Sequence, residues 1–379
     1  MSDDFIPQMI PWFGDEEADA MDEYMRSGGF LMEFKKTQEF EQRIAEYTGA
    51  KHAIVVNNGT VSLTMGGIVL GLKAGDDVLV PNYTMIATPN SIKMIGCNPV
   101  FVDVCKKTLC MDLELAKKAM TSKTKAIMFV NSNGRYPKEG IEEFVKFAKE
   151  NNLALIEDSA QALGSFYPDG RHMGTVGDVG SFSFSVPKII STGQGGALVT
   201  NDDELATKIR KLKDFGRSGG GNDIHDSIGW NFKFTDMQAV VGNEQMKKLP
   251  WRVERKKEIF KRYVNNLAGV SQVSFFETDL KNTTPWFIDI MVIEKREELI
   301  TYLKENGIDS RVMYPPINEQ ECYNVAGTYP VSQSVDKQGL WLPSSGQLTD
   351  SEIDKVCDFI KGFYLINALG KTPNYNYLH

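Results

Sequence analysis

Between residues 50 and 200, short apolar runs alternate with helical patterns, and this alternation restricts the fold more than any other feature of the 379-residue chain. The runs cover residues 53–56, 77–80, 99–104, 125–130 and 153–157, and helix-like stretches at 61–72, 84–94, 113–120 and 139–151 lie between them. Strands alternating with helices at this spacing predict an α/β fold with a mostly parallel central sheet. Residues 179–185 and 196–200 follow with no helix between them, so they are expected to pair through the turn that joins them. Helix-like segments at 202–214 and 235–247 close this portion. After Pro250 the pattern restarts as a smaller α+β unit, with a strand at 287–293 and a helix at 295–306 that stops at Gly307. The last helix opens on Thr349-Asp-Ser-Glu352, the spacing of a capping box. The expected division is a large α/β domain over residues 1–250, including the N-terminal segment, and a small domain over 251–379. The glycine-rich loop at 216–221 is the one stretch expected to be flexible inside the fold.

Composition narrows the chemistry. The net charge of −8 comes without a basic block, which argues against a nucleic-acid backbone as the main partner. No uncharged apolar run approaches the ~18 residues of a membrane span, and the acidic opening Met1-Ser2-Asp3-Asp4 does not read as a signal peptide, so the cytoplasm is the expected compartment. The five cysteines include no CxxC pair, and the four histidines (His52, His172, His225, His379) show no metal-ligand spacing. Neither a Ser-His-Asp triad nor a metal centre is expected, which turns attention to an organic cofactor.

The segment Glu157-Asp158-Ser-Ala-Gln161 is followed by Ser181-Phe-Ser183-Phe-Ser-Val-Pro-Lys188-Ile-Ile-Ser-Thr-Gly193-Gln-Gly-Gly196. Asp158 ends a strand buried on both faces, and a strand-end acid at the carboxyl edge of a parallel sheet points into the ligand crevice. Lys188 follows a strand-like alternation and precedes a glycine turn. An acid and a lysine converging there suit pyridoxal phosphate: the amine forms a Schiff base, and the acid keeps the pyridine nitrogen protonated. Taken singly the features are ordinary. A strand-end Asp can cap a helix, a lone Lys can be surface, and Gly193–Gly196 can serve backbone geometry alone. Asn57-Asn-Gly59-Thr60 lies between a strand and a helix, where Gly59 and Thr60 can offer backbone N–H groups to a phosphate.

The run from Glu157 to Thr200 resembles the DegT/DnrJ/EryC1/StrS family of sugar aminotransferases, and the similarity extends from about Met9 to the C-terminal helix. The resemblance implies a fold-type-I, aspartate aminotransferase-like architecture and pyridoxal 5'-phosphate, cycling with its pyridoxamine form, as cofactor. By that resemblance Lys188 is the Schiff-base lysine, Asp158 pairs with the pyridine nitrogen, Gln161 contacts the ring hydroxyl and Ser183 is a phosphate ligand. The family places an aromatic after the second strand to stack on the cofactor, and Tyr83 is the candidate. Gly229-Trp230-Asn231 resembles a segment whose Asn reaches the cofactor phosphate of the neighbouring subunit, which implies a homodimer with shared active sites. Arg217, Arg311, Tyr314 and Asn318 are candidate substrate contacts.

Three departures from the family pattern stand out, one near the lysine turn and two in regions that face substrate in relatives. Gln194 stands where most of the family has Glu, and Asn131 and Asn318 stand where relatives often have His. The implied reaction moves an amino group from L-glutamate to a keto-sugar, for a surface glycan or lipopolysaccharide. The segments 284–287 and 311–318 look closest to the perosamine-synthesising branch, so a nucleotide-linked keto-deoxysugar is the leading acceptor. A non-nucleotide acceptor such as 8-oxo-3-deoxy-octulosonate stays open because of the two asparagines. Pyridoxamine-dependent dehydratases of the family carry His in place of the lysine, so Lys188 opposes that reading. Lys188 and Asp158 together oppose a non-catalytic regulator.

Overall fold

The computed structural model describes residues 5–219 and 223–368, so Gly220 and Gly221 of the glycine-rich loop lie outside the described residues. Two helices come first, α1 (Asp15–Arg26) and α2 (Lys35–Thr48). The alternating portion then runs β1 (His52–Val56), α3 (Gly59–Val69), β2 (Asp77–Pro81), α4 (Ala87–Lys93), β3 (Asn98–Val102) and α5 (Leu113–Ala119). It continues through β4 (Thr124–Val130), α6 (Ile141–Glu150), β5 (Ala154–Asp158), β6 (Val179–Ser183), β7 (Gly196–Thr200) and α7 (Asp203–Lys213).

These strands form one seven-stranded sheet in the order β1-β7-β6-β5-β4-β2-β3. β7 runs against both of its neighbours, β1 and β6, and every other pairing is parallel. The expected pairing of β6 with β7 is therefore present, and the sheet is mostly parallel. Successive side chains serve opposite faces. Val78 and Val80 join Met65 and Ile92 on one side, while Leu79 joins Ile127, Phe129 and Phe144 on the other. Burial on both faces explains why these strands read as continuous apolar runs.

α8 (Asp236–Asn266) is where sequence and structure part. The pattern predicts a helix ending at 247 and a restart after Pro250, yet Pro250 lies inside one 31-residue helix. Proline in a helix interior removes a hydrogen bond and costs roughly 3 kcal/mol. Here both halves are held by separate cores: Leu249 and Val253 pack with Phe40 and Phe184, while Ile259, Phe260 and Tyr263 pack into the C-terminal core. Burial on either side outweighs the local break.

The C-terminal portion comprises β8 (Val273–Phe275), β9 (Ile288–Val292), α9 (Arg296–Glu305), β10 (Arg311–Val312), α10 (Pro330–Gln338), β11 (Gly339–Leu342) and α11 (Asp350–Ala368). Its antiparallel sheet, β10-β11-β9-β8, packs on α9, α11 and the end of α8. The capping box is formed: Glu352 accepts from the Thr349 N–H at 2.7 Å, and Thr349 Oγ1 accepts from the Glu352 N–H at 3.2 Å. The N-terminal segment, which the pattern groups with the large unit, sends Ile6 into the C-terminal core and bridges Ile308. A buried ion pair joins the portions, Arg135 beyond β4 gripping Asp289 of β9 at 2.8 and 2.6 Å.

Candidate active site

The carboxyl ends of β5 and β6 and the N-terminus of α3 converge on a cleft of about 760 Å³. Asp158, Gln161, Ser183, Lys188, Gly59 and Thr60 all line it, together with Arg311 and Tyr314 from the C-terminal portion. Side chains separated by more than a hundred residues thus meet at the edge where parallel sheets bind ligands.

Asp158 is the last residue of β5 and is buried. Thr88 of α4 donates to its Oδ2 at 2.7 Å, and the Ala160 N–H donates to Oδ1 at 3.2 Å. Burial raises the pKa of this carboxyl above the ordinary range, while Thr88, Ala160 and the Lys188 charge pull the other way. Lys188 is half-buried. Loss of water around its amine lowers its pKa to about 8, against the opposing pull of Asp158. The Lys188 ammonium lies 4.2 Å from the centroid of the Trp286 ring. Gln161 is fixed by accepting from the Asn133 N–H at 2.7 Å.

The cradle at α3 comes from close approach. Asn58 caps the helix, its side chain accepting from Val61 N–H at 2.9 Å. The N–H groups of Gly59 and Thr60 sit in the first turn, where no carbonyl of the helix itself can reach them. A Cβ at Gly59 would come within 2.9 Å of the Ser183 Cβ, so only glycine lets the helix end approach β6 this closely. Backbone donors, the helix dipole and the hydroxyls of Thr60, Ser183 and Ser185 make an anion cradle in the cleft. With an amine that can bond an aldehyde and an acid for a ring nitrogen, the residues fit pyridoxal phosphate.

Tyr83 and Asn318 are placed off the cleft, and Arg217 and Asn231 lie off the cleft of their own chain. Tyr83 is buried with Trp286, Phe287 and Trp341, because the turn after β2 rotates it into that aromatic cluster; Thr84 and Met85 are the residues of this turn that line the cleft. Asn318 is buried in the wall, where its backbone N–H and side chain bond Asn82 at 2.9 and 2.8 Å and Val325 at 2.9 Å. Arg217 pairs with Asp223 at 3.1 Å and Asp214 at 3.6 Å, away from the cleft of its own chain. Asn231 is exposed and also lies off that cleft. Asn131, where relatives often have His, is fully buried and bonded to Tyr167 and Ser159. Sequence reasoning missed Thr88 as the partner of Asp158 and Trp286 as the platform under Lys188, since neither contact has a local signature.

Residues 11–361 match the DegT/DnrJ/EryC1/StrS aminotransferase family. A GDP-perosamine synthase of Escherichia coli O157:H7 is 34% identical over 363 residues, 95% of this chain and 99% of that protein. A dTDP-4-dehydro-2,3,6-trideoxy-D-glucose 4-aminotransferase of Saccharopolyspora spinosa is 32% identical over 365 residues, 92% of this chain and 94% of the relative. Among solved structures, the sugar aminotransferase Spr1654 from Streptococcus pneumoniae in its PMP form superposes with a TM-score of 0.89 at 26% identity, covering 97% of this chain and 100% of that one. Among the described residues no helix is long and apolar enough to cross a membrane, and no cluster of three or more His, Cys, Asp or Glu is placed to hold a metal. The chain belongs to the DegT/DnrJ/EryC1/StrS aminotransferase family and is a pyridoxal-phosphate-dependent sugar aminotransferase.

Proposed function

We propose that the protein transfers an amino group from L-glutamate to a nucleotide-linked keto-deoxysugar, for a surface glycan or lipopolysaccharide. The observation that carries this reading is the convergence of Lys188, Asp158 and the Gly59–Thr60 cradle on one cleft. Pyridoxal phosphate, when bound, supplies an electron sink for the carbon that loses its proton. Lys188 anchors the cofactor and, once its amine is free, moves the proton at the reacting carbon. A pKa lowered to about 8 leaves part of that amine unprotonated near neutral pH, as a base requires. Asp158, oriented by Thr88, holds a proton on the ring nitrogen; Gln161 orients the ring hydroxyl; Gly59, Thr60 and Ser183 hold the phosphate.

Arg311 and Tyr314 support the acceptor assignment. Both line the cofactor cleft and a further 220 Å³ pocket that adjoins it past Thr84 and Met85. An arginine at that junction suits a diphosphate, and both curated relatives above carry nucleotide sugars in their names. The two asparagines that favour a keto-octulosonate, Asn131 and Asn318, are committed to wall contacts and lend that acceptor no support.

A homodimer with shared sites is part of the proposal. Asn231 and Arg217 lie off their own chain's cleft, and Ile228 and Trp230 beside Asn231 are 79% and 45% exposed, as a segment that meets a second chain would be. The test is a glutamate-dependent amination screen across nucleotide-linked keto-sugars and keto-octulosonates. Turnover confined to the octulosonate would overturn the acceptor assignment, and turnover with no amino donor but a non-glutamate amine would overturn the donor.

A further inference from the structure

Pro187 and Lys188, besides lining the cleft, form one wall of a much smaller cavity of about 30 Å³. Trp12 from the N-terminal segment, Arg252 and Lys256 of α8, and Ser345 also line it. Its charged lining is cationic throughout: Lys188, Arg252 and Lys256, with no Asp or Glu. Arg252 and Lys256 are only 5% and 8% exposed.

Every acceptor these two cations use is neutral. Arg252 donates to the Ile189 carbonyl at 2.9 Å, to Gln245 Oε1 at 2.6 Å and to the Trp12 carbonyl at 2.9 Å. Lys256 donates to the carbonyls of Trp286, at 2.7 Å, and Ser344. The buried Nε of Arg252 has no partner among the described residues. Glu17 is linked to Arg252 by Gln245, which donates to it at 2.8 Å; the charges of Glu17 and Glu16 favour the Arg252 cation, but both acids pair with Lys248 and neither lines the cavity. Buried cations without a counter-charge are costly. Burial, with the Arg252 charge beside it, pushes the Lys256 amine down to about 7, the response of a cation with nothing to neutralise it.

We propose that this cavity is a binding site for one small monovalent anion of the size of chloride, held between Arg252 and Lys256. At about 30 Å³ against 760 Å³ for the cleft, the cavity has room for one or two water-sized occupants, which suits a single small ion and not a sugar acid. The anion supplies a counter-charge inside the cavity, whose lining has no acid, and Lys188 shares its wall.

Bromide is the probe. Crystals of the holoenzyme soaked in sodium bromide should show an anomalous peak between Arg252 and Lys256, and a cavity without one overturns the assignment. In solution, the holoenzyme in potassium chloride should melt a few degrees above the same protein in potassium gluconate at equal ionic strength, with a saturable dependence on chloride. Equal melting in the two salts would mean that any bromide peak is an adventitious ion only. Arg252→Gln and Lys256→Met should each remove the halide-specific rise, and a rise that persists in both places the anion elsewhere. If neither variant folds, the bromide map and the two-salt melting of the natural protein decide alone.

Discussion

The indole N–H of Trp286 donates to the carbonyl of Pro187 at 2.7 Å, and the face of the same ring lies 4.2 Å from the ammonium of Lys188. Trp286 lies two residues before the start of β9, so the C-terminal portion lays an aromatic platform against the lysine of the large sheet. A cation over an indole face in a desolvated site gains about 0.5–2 kcal/mol.

Trp286→Leu removes both the platform and the hydrogen bond. We expect kcat/KM to fall by about 3- to 30-fold, with Trp286→Phe keeping part of the loss in hand because a ring remains. Steady-state kinetics on the two variants check this, and a Leu variant with unchanged kcat/KM would remove Trp286 from the site's working parts.

Lys188 carries a sharper expectation. Borohydride treatment of the yellow holoenzyme should fix the cofactor covalently to the peptide that contains Lys188, read by mass spectrometry. Lys188→Ala should lose turnover by about 10³-fold or more while still taking up the cofactor noncovalently. A label on another lysine contradicts the assignment.

Shared sites make a mixing experiment decisive. Lys188→Ala and Asn231→Ala chains, each weak alone, are unfolded and refolded together at equal amounts. If each site takes Lys188 from one chain and Asn231 from the other, half the dimers are mixed and hold one intact site, so about a quarter of natural activity returns. No recovery, with mixed dimers demonstrably formed, argues that Asn231 serves its own chain or none.

His172 sets an acid limit on stability. Its Nδ1 faces the Met173 carbonyl at 2.6 Å and its Nε2 accepts from the Gly164 N–H at 3.0 Å, so the neutral ring satisfies both neighbours and a second ring proton would point at a donor. Burial accordingly lowers its pKa to about 4. The unfolded chain binds that proton near pH 6.5, so His172's contribution is whole above pH 7 and drains as pH falls from 6.5 towards 4. Between pH 7 and 4.5 the natural protein should lose roughly 2–3 kcal/mol more than His172→Gln, measured from urea midpoints. Parallel losses in the two proteins would show that the ring does not titrate this way.

The sheet was legible because parallel strands buried on both faces are written as continuous apolar runs, and the Thr349–Glu352 box because its signal is four residues long. Lys188, Asp158 and Gly59 were legible because each sits in a local motif. The side-chain direction of Tyr83 was not, since it depends on a turn that delivers Thr84 and Met85 to the cleft instead. Asn318 could not be read either: its partner Asn82 lies 236 residues away. The contacts of Thr88 with Asp158 and of Trp286 with Lys188 are likewise products of chain folding, not of spacing. Pro250 misled because its local penalty is visible in the sequence and the two cores that overrule it are not.

The unbroken run of α8 bears on how the gene can be divided. A cut at residue 250 would leave two fragments, each ending in half a rod with an uncovered greasy stripe: Leu249 on one, and Ile259, Phe260 and Tyr263 on the other. Arg252 and Lys256 would leave with the second fragment, parted from Trp12, Gln245 and Ile189. The two portions are therefore not interchangeable modules, and swapping C-terminal portions between relatives calls for a seam that carries the whole helix to one side.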